Sequence, residues 1–235
     1  MFFSSPDGTF PICRDAAGIA GNIFAFGLFV SPIPTFKRII RNQTTENFSG
    51  LPYVYALLNC LICTWYGTPL ISYDNMLVMT VNSIGAVFQM TYIIIFIVHT
   101  DREKKIRMLG FLLAVFGLLA IIVAGSLLIA DRGARWIFVG LLCCASLISM
   151  FASPLFIINL VIRTKSVEYM PFYLSLSTFL MSTSFFLYGI FNFDPFIYAP
   201  NGIGTILGIL QLALYFHYKT KSVEESGEPL VVSQA

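Results

Sequence analysis

The sequence predicts an all-α membrane protein of seven transmembrane helices, set out as two parallel three-helix repeats joined by a linker helix (3+1+3). Three observations predict it. Hydrophobic residues make up 57% of the chain and charged residues 11%, whereas soluble domains average roughly 45–50% and 25%. The apolar residues gather into seven runs, each near the ~20 residues that span a hydrocarbon core. The runs ahead of the fourth repeat the pattern of the runs behind it. A closed β-barrel would alternate in segments of about 10 residues, a pattern the chain lacks.

Residues 1–15 read as a short N-terminal tail. They hold no basic stretch followed by an apolar core and a cleavage site, so no removable signal peptide is expected and the first helix serves for targeting. The first repeat, residues 16–100, contains apolar runs at Ala16–Ile40, Leu51–Ile71 and Met76–Val98. The linker helix follows at Ile106–Ala130, with no charge from Gly110 onward. The second repeat, residues 136–218, contains Trp136–Ile162, Pro171–Phe191 and Tyr198–Tyr218. A three-helix unit starts and ends on opposite sides of a membrane. Two joined directly would be inverted, and one extra crossing gives both the same orientation. Residues 219–235 form a polar tail, expected to be disordered from Ser222.

The distribution of charge sets the orientation. Lys37, Arg38, Arg41, Arg102, Lys104, Lys105, Arg107, Arg163, Lys165, Lys219 and Lys221 fall on one side, against Arg14, Arg132 and Arg135 on the other. Basic residues collect in cytoplasmic connections, so the N-terminus is expected outside or in a lumen and the C-terminus in the cytosol. The sequons at Asn42-Gln43-Thr44 and Asn47-Phe48-Ser49 then lie on the side where they are not glycosylated.

Laying one half on the other pairs Gly18 with Gly140, Ser31-Pro32 with Ser153-Pro154 and Arg41 with Arg163 at one offset. With small shifts the pairing continues. Pro52 answers Pro171, Tyr66-Gly67 answers Tyr188-Gly189, Asp74 answers Asp194, and Asn82 to Gly85 answer Asn201 to Gly204. Pro32, Pro52, Pro154 and Pro171 all fall in the cytoplasmic half. Proline removes a backbone donor and bends a helix, so the four prolines suit the hinges of an inner gate. For Pro52 and Pro171 the reading as ordinary helix starts stands beside it. At the other end Tyr66, Asp74, Tyr188 and Asp194 suit an outer closure of phenols and carboxylates, or, for the two aspartates, plain helix capping.

Asn82 lies seven residues past Asn75, ~10 Å into the membrane at ~1.5 Å per residue, and Asn201 matches it in depth. Amides are costly in hydrocarbon unless paired, so both should face the bundle interior or a watery cavity. One alone would serve as interhelical glue. Two at symmetric positions suit a ligand site, and an amide with donors and an acceptor suits a polyol hydroxyl.

Every Asp and Glu between Ala16 and Tyr218 sits in a connection. Proton-driven carriers use intramembrane carboxylates or histidine relays, whereas His99 and His217 here end helices at the interface, where the helix dipole favours them. Proton coupling is therefore not expected. Cys60 and Cys63 form a CxxC inside an apolar helix with no second pair or histidine nearby, so packing is expected rather than zinc. Cys143-Cys144 lies within another span. Gly204 and Gly208, and the ridge of Ala17, Gly21 and Ala25, read as close helix packing. No nucleophile with its base, nucleotide loop or metal cluster is present in the sequence, so an enzyme is not expected.

The chain resembles the SWEET sugar transporters, in wording closest to plant members, over almost its whole length to Lys221. The resemblance rests on the 3+1+3 order, Phe36 to Ile40, Phe48 to Pro52, Leu58-Asn59-Cys60, Trp65-Tyr66-Gly67, Lys165 to Glu168, Met170-Pro171-Phe172, Tyr188-Gly189, Pro200-Asn201-Gly202 and Gln211-Leu212. That family is a known example of parallel repeats about an axis along the membrane normal. The resemblance implies passive, bidirectional uniport of a monosaccharide such as glucose by alternating access. It implies an inner gate at Pro32, Pro52, Pro154 and Pro171, a sugar site at Asn82, Asn201, Cys63 and Phe185, and an outer gate at Tyr66 and Asp194. Relatives often carry Trp where Phe185 stands and Ser where Cys63 stands, and some carry Lys in place of Tyr73. The expected partners are a small sugar and the lipid bilayer of a plasma or vacuolar membrane, with no nucleic acid, no cofactor and no metal. A homo-oligomer is compatible with this layout. The rival classes are the proline-glutamine-loop amino-acid exporters and a seven-helix receptor or scaffold. Against the first, Pro32 is followed by Ile33 and Pro154 by Leu155, where that group carries its glutamine.

Overall fold

The computed structural model describes residues 9–167 and 170–226, of which residues 9 and 220–226 are given by backbone alone. Nine helices and no strand occur among the described residues: α1 Thr9–Val30, α2 Ile33–Asn42, α3 Leu51–Tyr66, α4 Met76–His99, α5 Arg102–Leu128, α6 Arg132–Ser149, α7 Ala152–Thr164, α8 Phe172–Phe191 and α9 Pro195–Ser226. They make seven crossings, because α1–α2 and α6–α7 are each one span broken once. Six helices are long and apolar enough to cross a membrane, the two broken spans included, and α3 is a shorter apolar helix. The end that carries most Lys and Arg is the basic end, and the other is the far end.

Both breaks follow from proline chemistry. Pro32 has no N–H to offer the carbonyl of Leu28, and that carbonyl instead accepts from the Ser31 hydroxyl at 2.8 Å. The next carbonyl, Phe29, accepts from the Tyr92 hydroxyl at 2.6 Å. In the second repeat Pro154 cannot reach the carbonyl of Met150, and the helix breaks at Met150–Phe151. Freed carbonyls met by neighbouring side chains are what lets a bundle tolerate such bends within a membrane. Pro52 sits in the first turn of α3, and Pro171 immediately precedes α8.

The helix ends depart most from the apolar runs in three places. α1 already begins at Thr9, inside the stretch expected to be tail. α3 stops at Tyr66 rather than running to Ile71, because Gly67-Thr68-Pro69 ends it and the Thr68 hydroxyl turns back to the Trp65 carbonyl at 2.7 Å. α9 continues to Ser226, so residues 222–226 are helical; residues 227–235 of the expected disordered tail lie outside the described residues. Gly67 and its counterpart Gly189 occupy positions no side chain fits. A Cβ there would lie 2.6 Å from the Met79 and Tyr198 backbone nitrogens respectively.

α1 packs chiefly on α8, α3 on α4 and α6, and α9 on α8, α6 and α7, so helices of the first repeat lie directly against helices of the second. The linker α5 packs on α3, α4 and α6 and is tied to α3 by the Trp65 indole, which donates to Ser126 Oγ at 3.1 Å. Its outer face, with Leu113, Ile121 and Leu128, is exposed, as suits a helix against lipid. Two buried clusters result. One joins the repeats, bringing Ile62, Cys63 and Tyr66 against Val139, Cys143, Phe185 and Tyr188. The other lies at the basic end within the first repeat and the linker, around Phe36, Ile39, Leu57, Tyr92, Phe96 and Met108. In lipid there is no hydrophobic drive between helices, so close packing and hydrogen bonds hold such contacts. The small residues fit that need, with Gly204 against Ser182, Gly208 against Phe179 and Gly21 against the ring of Phe185.

Candidate functional site

α4 and α9 each carry an asparagine one to two turns in from the far end. The Asn82 Nδ2 donates to the Val78 carbonyl at 2.9 Å, and Asn201 Nδ2 to the Ile197 carbonyl at 2.8 Å. The two amides thus make the same bond back along their own helices. Each keeps its Oδ1 and a second N–H for another partner. Both face a cavity of ≈ 260 Å³ between the repeats, which Cys63 of α3 and Phe185 of α8 also line. All four residues expected at a sugar site therefore meet at one place. The volume is close to the lower end of the roughly 300–1,000 Å³ of small-molecule pockets.

The walls are mostly apolar. Phe185 is buried and held by Gly21 behind it and by an edge-on contact with Tyr188, ring centroids 6.3 Å apart. The Cys63 thiol lies 3.0 Å from the Cys143 sulfur of α6 and 3.7 Å from Asn59 Oδ1, which also accepts from Ser146 at 2.9 Å. Both thiols are free. From the asparagine pair the lining continues past Leu28, Ala56, Gln89 and Met150 toward the basic end.

At the far end the cavity is capped. Tyr66 Oη donates to Asp194 Oδ2 at 2.5 Å, and the Asn75 amide donates to the same oxygen at 2.7 Å. The Trp136 indole donates to Tyr66 Oη at 2.9 Å, and the Asn192 amide to Asn75 Oδ1 at 2.7 Å. Asp194 Oδ1 accepts from the Phe196 N–H at 3.0 Å, so this aspartate caps α9 as well as joining the closure. It is 4% exposed. Burial raises its carboxyl above the ordinary range, against the opposing bonds from Tyr66, Asn75 and the backbone N–H groups.

Asp74 departs from the symmetric expectation. Its backbone is left-handed, φ 57, and its carboxylate points outward, 3.8 Å from Arg14 Nη1. What joins the closure is its carbonyl, which accepts from the Tyr188 hydroxyl at 2.6 Å. Sequence reasoning missed Asn75, Trp136 and Asn192 here, and Asn59, Gln89 and Cys143 in the cavity wall. Asn59 and Gln89 carried the same signal as Asn82, an amide inside an apolar run.

With that arrangement in hand, known proteins give the family. A family described as "Sugar efflux transporter for intercellular exchange" matches residues 15–104 and 137–223. The chain belongs to that family. Bidirectional sugar transporter SWEET2 of Arabidopsis thaliana is 70% identical over 223 residues, covering 94% of each chain. Bidirectional sugar transporter SWEET2a of Sorghum bicolor is 61% identical over 222 residues, covering 94% of this chain and 91% of that one. The solved structure of a eukaryotic SWEET transporter superposes with a TM-score of 0.88 at 54% identity, over 90% of this chain and 99% of that one. The family is one of multi-pass membrane transporters rather than enzymes, in keeping with the seven apolar crossings.

Proposed function

We propose that this chain is a passive, bidirectional uniporter for a monosaccharide such as glucose, working by alternating access. The observation that carries the reading is the pair of asparagine amides, each with an unspent acceptor and N–H, facing one cavity from matching places in the two repeats. A pyranose between them receives hydrogen bonds at opposite edges, while the ring of Phe185 packs on its C–H face and Cys63 and Cys143 limit its size. The relatives' names, which describe bidirectional sugar transport, support the same reading.

In this reading Tyr66 and Asp194 form the outer gate, and Pro32, Pro52, Pro154 and Pro171 are the hinges of the inner one. The basic end faces the cytosol, the N-terminus lies outside or in a lumen and the C-terminus in the cytosol. A cysteine placed at Lys104 should react with an impermeant thiol reagent from the cytosolic side alone; reaction from the other side would reverse the orientation.

The test of the site is uptake of radiolabelled glucose, with sucrose and an amino acid for comparison, into vesicles carrying the full chain. Leaving a sugar hydroxyl desolvated and unpaired costs about 1–3 kcal/mol, roughly a tenfold to hundredfold loss of affinity at about 1.4 kcal/mol per decade. Asn82→Ala and Asn201→Ala should each lose most glucose transport at unchanged membrane abundance. Normal transport in either variant removes that residue from the site. Accumulation against a gradient, collapsed by a proton ionophore, would overturn uniport.

A further inference from the structure

α4 carries another amide on the face that holds Asn82. Gln89 follows Asn82 by seven residues, close to two turns at about 3.6 residues each, which places it on the same face and ~10 Å nearer the basic end. It lines the same cavity as the asparagine pair and is 8% exposed. Its Oε1 has no hydrogen-bond partner. Among the described residues only one other buried side-chain atom is in that position, Thr64 Oγ1, whose residue does not line the cavity.

A buried acceptor without a donor is costly, and nearly all such groups in folded proteins are paired. Asn82 and Asn201 bond back to their own helices; the described residues give Gln89 no such bond. The cavity lining on the basic side, Leu28, Phe29, Leu147 and Met150, brings no side-chain donor. In the second repeat the matching position is Gly208, which packs on Phe179 and leaves no room for a side chain. The donor for Gln89 has to come from what enters the cavity, and water and a sugar hydroxyl are both such donors.

We infer that Gln89 is a second hydrogen-bonding station for the sugar, on the basic side of the asparagine pair, occupied as the sugar leaves that pair or first meets it from the basic end. The inference rests on the sugar-uniport reading above. The ~10 Å between Asn82 and Gln89 along the helix exceeds what one pyranose bridges, so a monosaccharide occupies the two places in turn.

The experiment compares wild type, Gln89→Met and Gln89→Glu as full chains in vesicles of both orientations, with radiolabelled glucose offered from either side and thermal stability measured on the purified proteins. Met keeps the length and removes the amide. Glu keeps an oxygen where Oε1 stands. For Gln89→Met the expected result is a half-saturation about tenfold higher for glucose offered at the basic end, the loss of one hydrogen bond to a buried group. Half-saturation from the far side should change little, stability should be equal or higher, and Gln89→Glu should recover most of the loss. Unchanged half-saturation from both sides together with a more stable Gln89→Met protein would overturn the station, since Gln89 would then be an unpaired group and nothing more. If Gln89→Met does not fold, Gln89→Glu indistinguishable from an apolar Gln89→Leu variant at the basic end overturns it equally. Wild type that moves no glucose or other hexose defeats the uniport reading itself, and the station with it.

Discussion

At the far end of the cavity, Tyr66 and Asn75 of the first repeat bond to Asp194 of the second, Trp136 and Asn192 bond back, and Tyr188 reaches the Asp74 carbonyl. The buried cluster beneath them is shared by both repeats. At the basic end the large cluster belongs to the first repeat and the linker, and α3 bonds to α6 through Asn59–Ser146 and Tyr55–Ser149. The same two halves are thus knitted at one end and laid side by side at the other. A packed, hydrogen-bonded contact of this kind has discrete arrangements rather than a graded one. In a carrier that alternates access, the knitted end has to open once the other has closed, and the comparison indicates where substitutions act most strongly.

The largest effect is expected from removing the centre of the knitted end. Asp194→Ala leaves the Tyr66 hydroxyl and the Asn75 amide buried without their acceptor, a cost of about 3 kcal/mol for a buried, charge-assisted site, or roughly a hundredfold shift in the gate equilibrium. Transport should fall below a tenth of normal. Cysteines of the cavity wall should become reactive to a thiol reagent confined to the far side. Wild-type labelling and transport in this variant would mean that the end is closed by packing and that the hydrogen bonds add little.

A smaller effect is expected at the bends. Pro32→Ala and Pro154→Ala restore N–H groups that can meet the Leu28 and Met150 carbonyls along the helix, so each broken span should straighten and gain local helical stability. If the bends are hinges, initial glucose uptake should drop severalfold while thermal stability holds or rises. Uptake unchanged in both variants would leave the prolines as shape without motion.

The comparison also explains what could be read beforehand. Repetition made Asn82, Asn201, Tyr66 and Asp194 legible, because each has a counterpart at the same depth in the other half. The same filter hid Gln89, whose counterpart is Gly208, and Asn59, which has no amide opposite it. It also misled at Asp74. Symmetry with Asp194 suggested a facing carboxylate, but a left-handed turn points that carboxylate outward and presents the carbonyl instead. Local backbone handedness and the reach of an indole such as Trp136 are set by tertiary packing, which hydropathy and spacing do not encode. The fold itself was legible because a membrane restricts the chain to satisfied helices of nearly fixed length, and the helix ends blurred where that restriction lapses in water.

The smallest effect, and the one that isolates charge at the knitted end, is its dependence on pH. Asp194 has its carboxyl raised by burial when the far end is closed, whereas an opened far end gives it water and the ordinary carboxylate range. The closed state therefore holds the proton more tightly than the open one. Linkage fixes the sign: between the ordinary value and the raised one, closing takes up a proton, so acidification favours closure. Above the raised value both states are ionised, and the cost of burying the charge is fully present and constant. Below the ordinary value both are protonated and the cost is gone. Far-side labelling of the cavity cysteines should accordingly decline by a few fold as pH falls through that window, after correction for the reagent's own preference for thiolate measured on a model thiol. Asp194→Asn, which keeps the shape and an acceptor oxygen but cannot ionise, should label at one corrected rate throughout. If the slope persists in Asp194→Asn, a group other than Asp194 titrates with the gate.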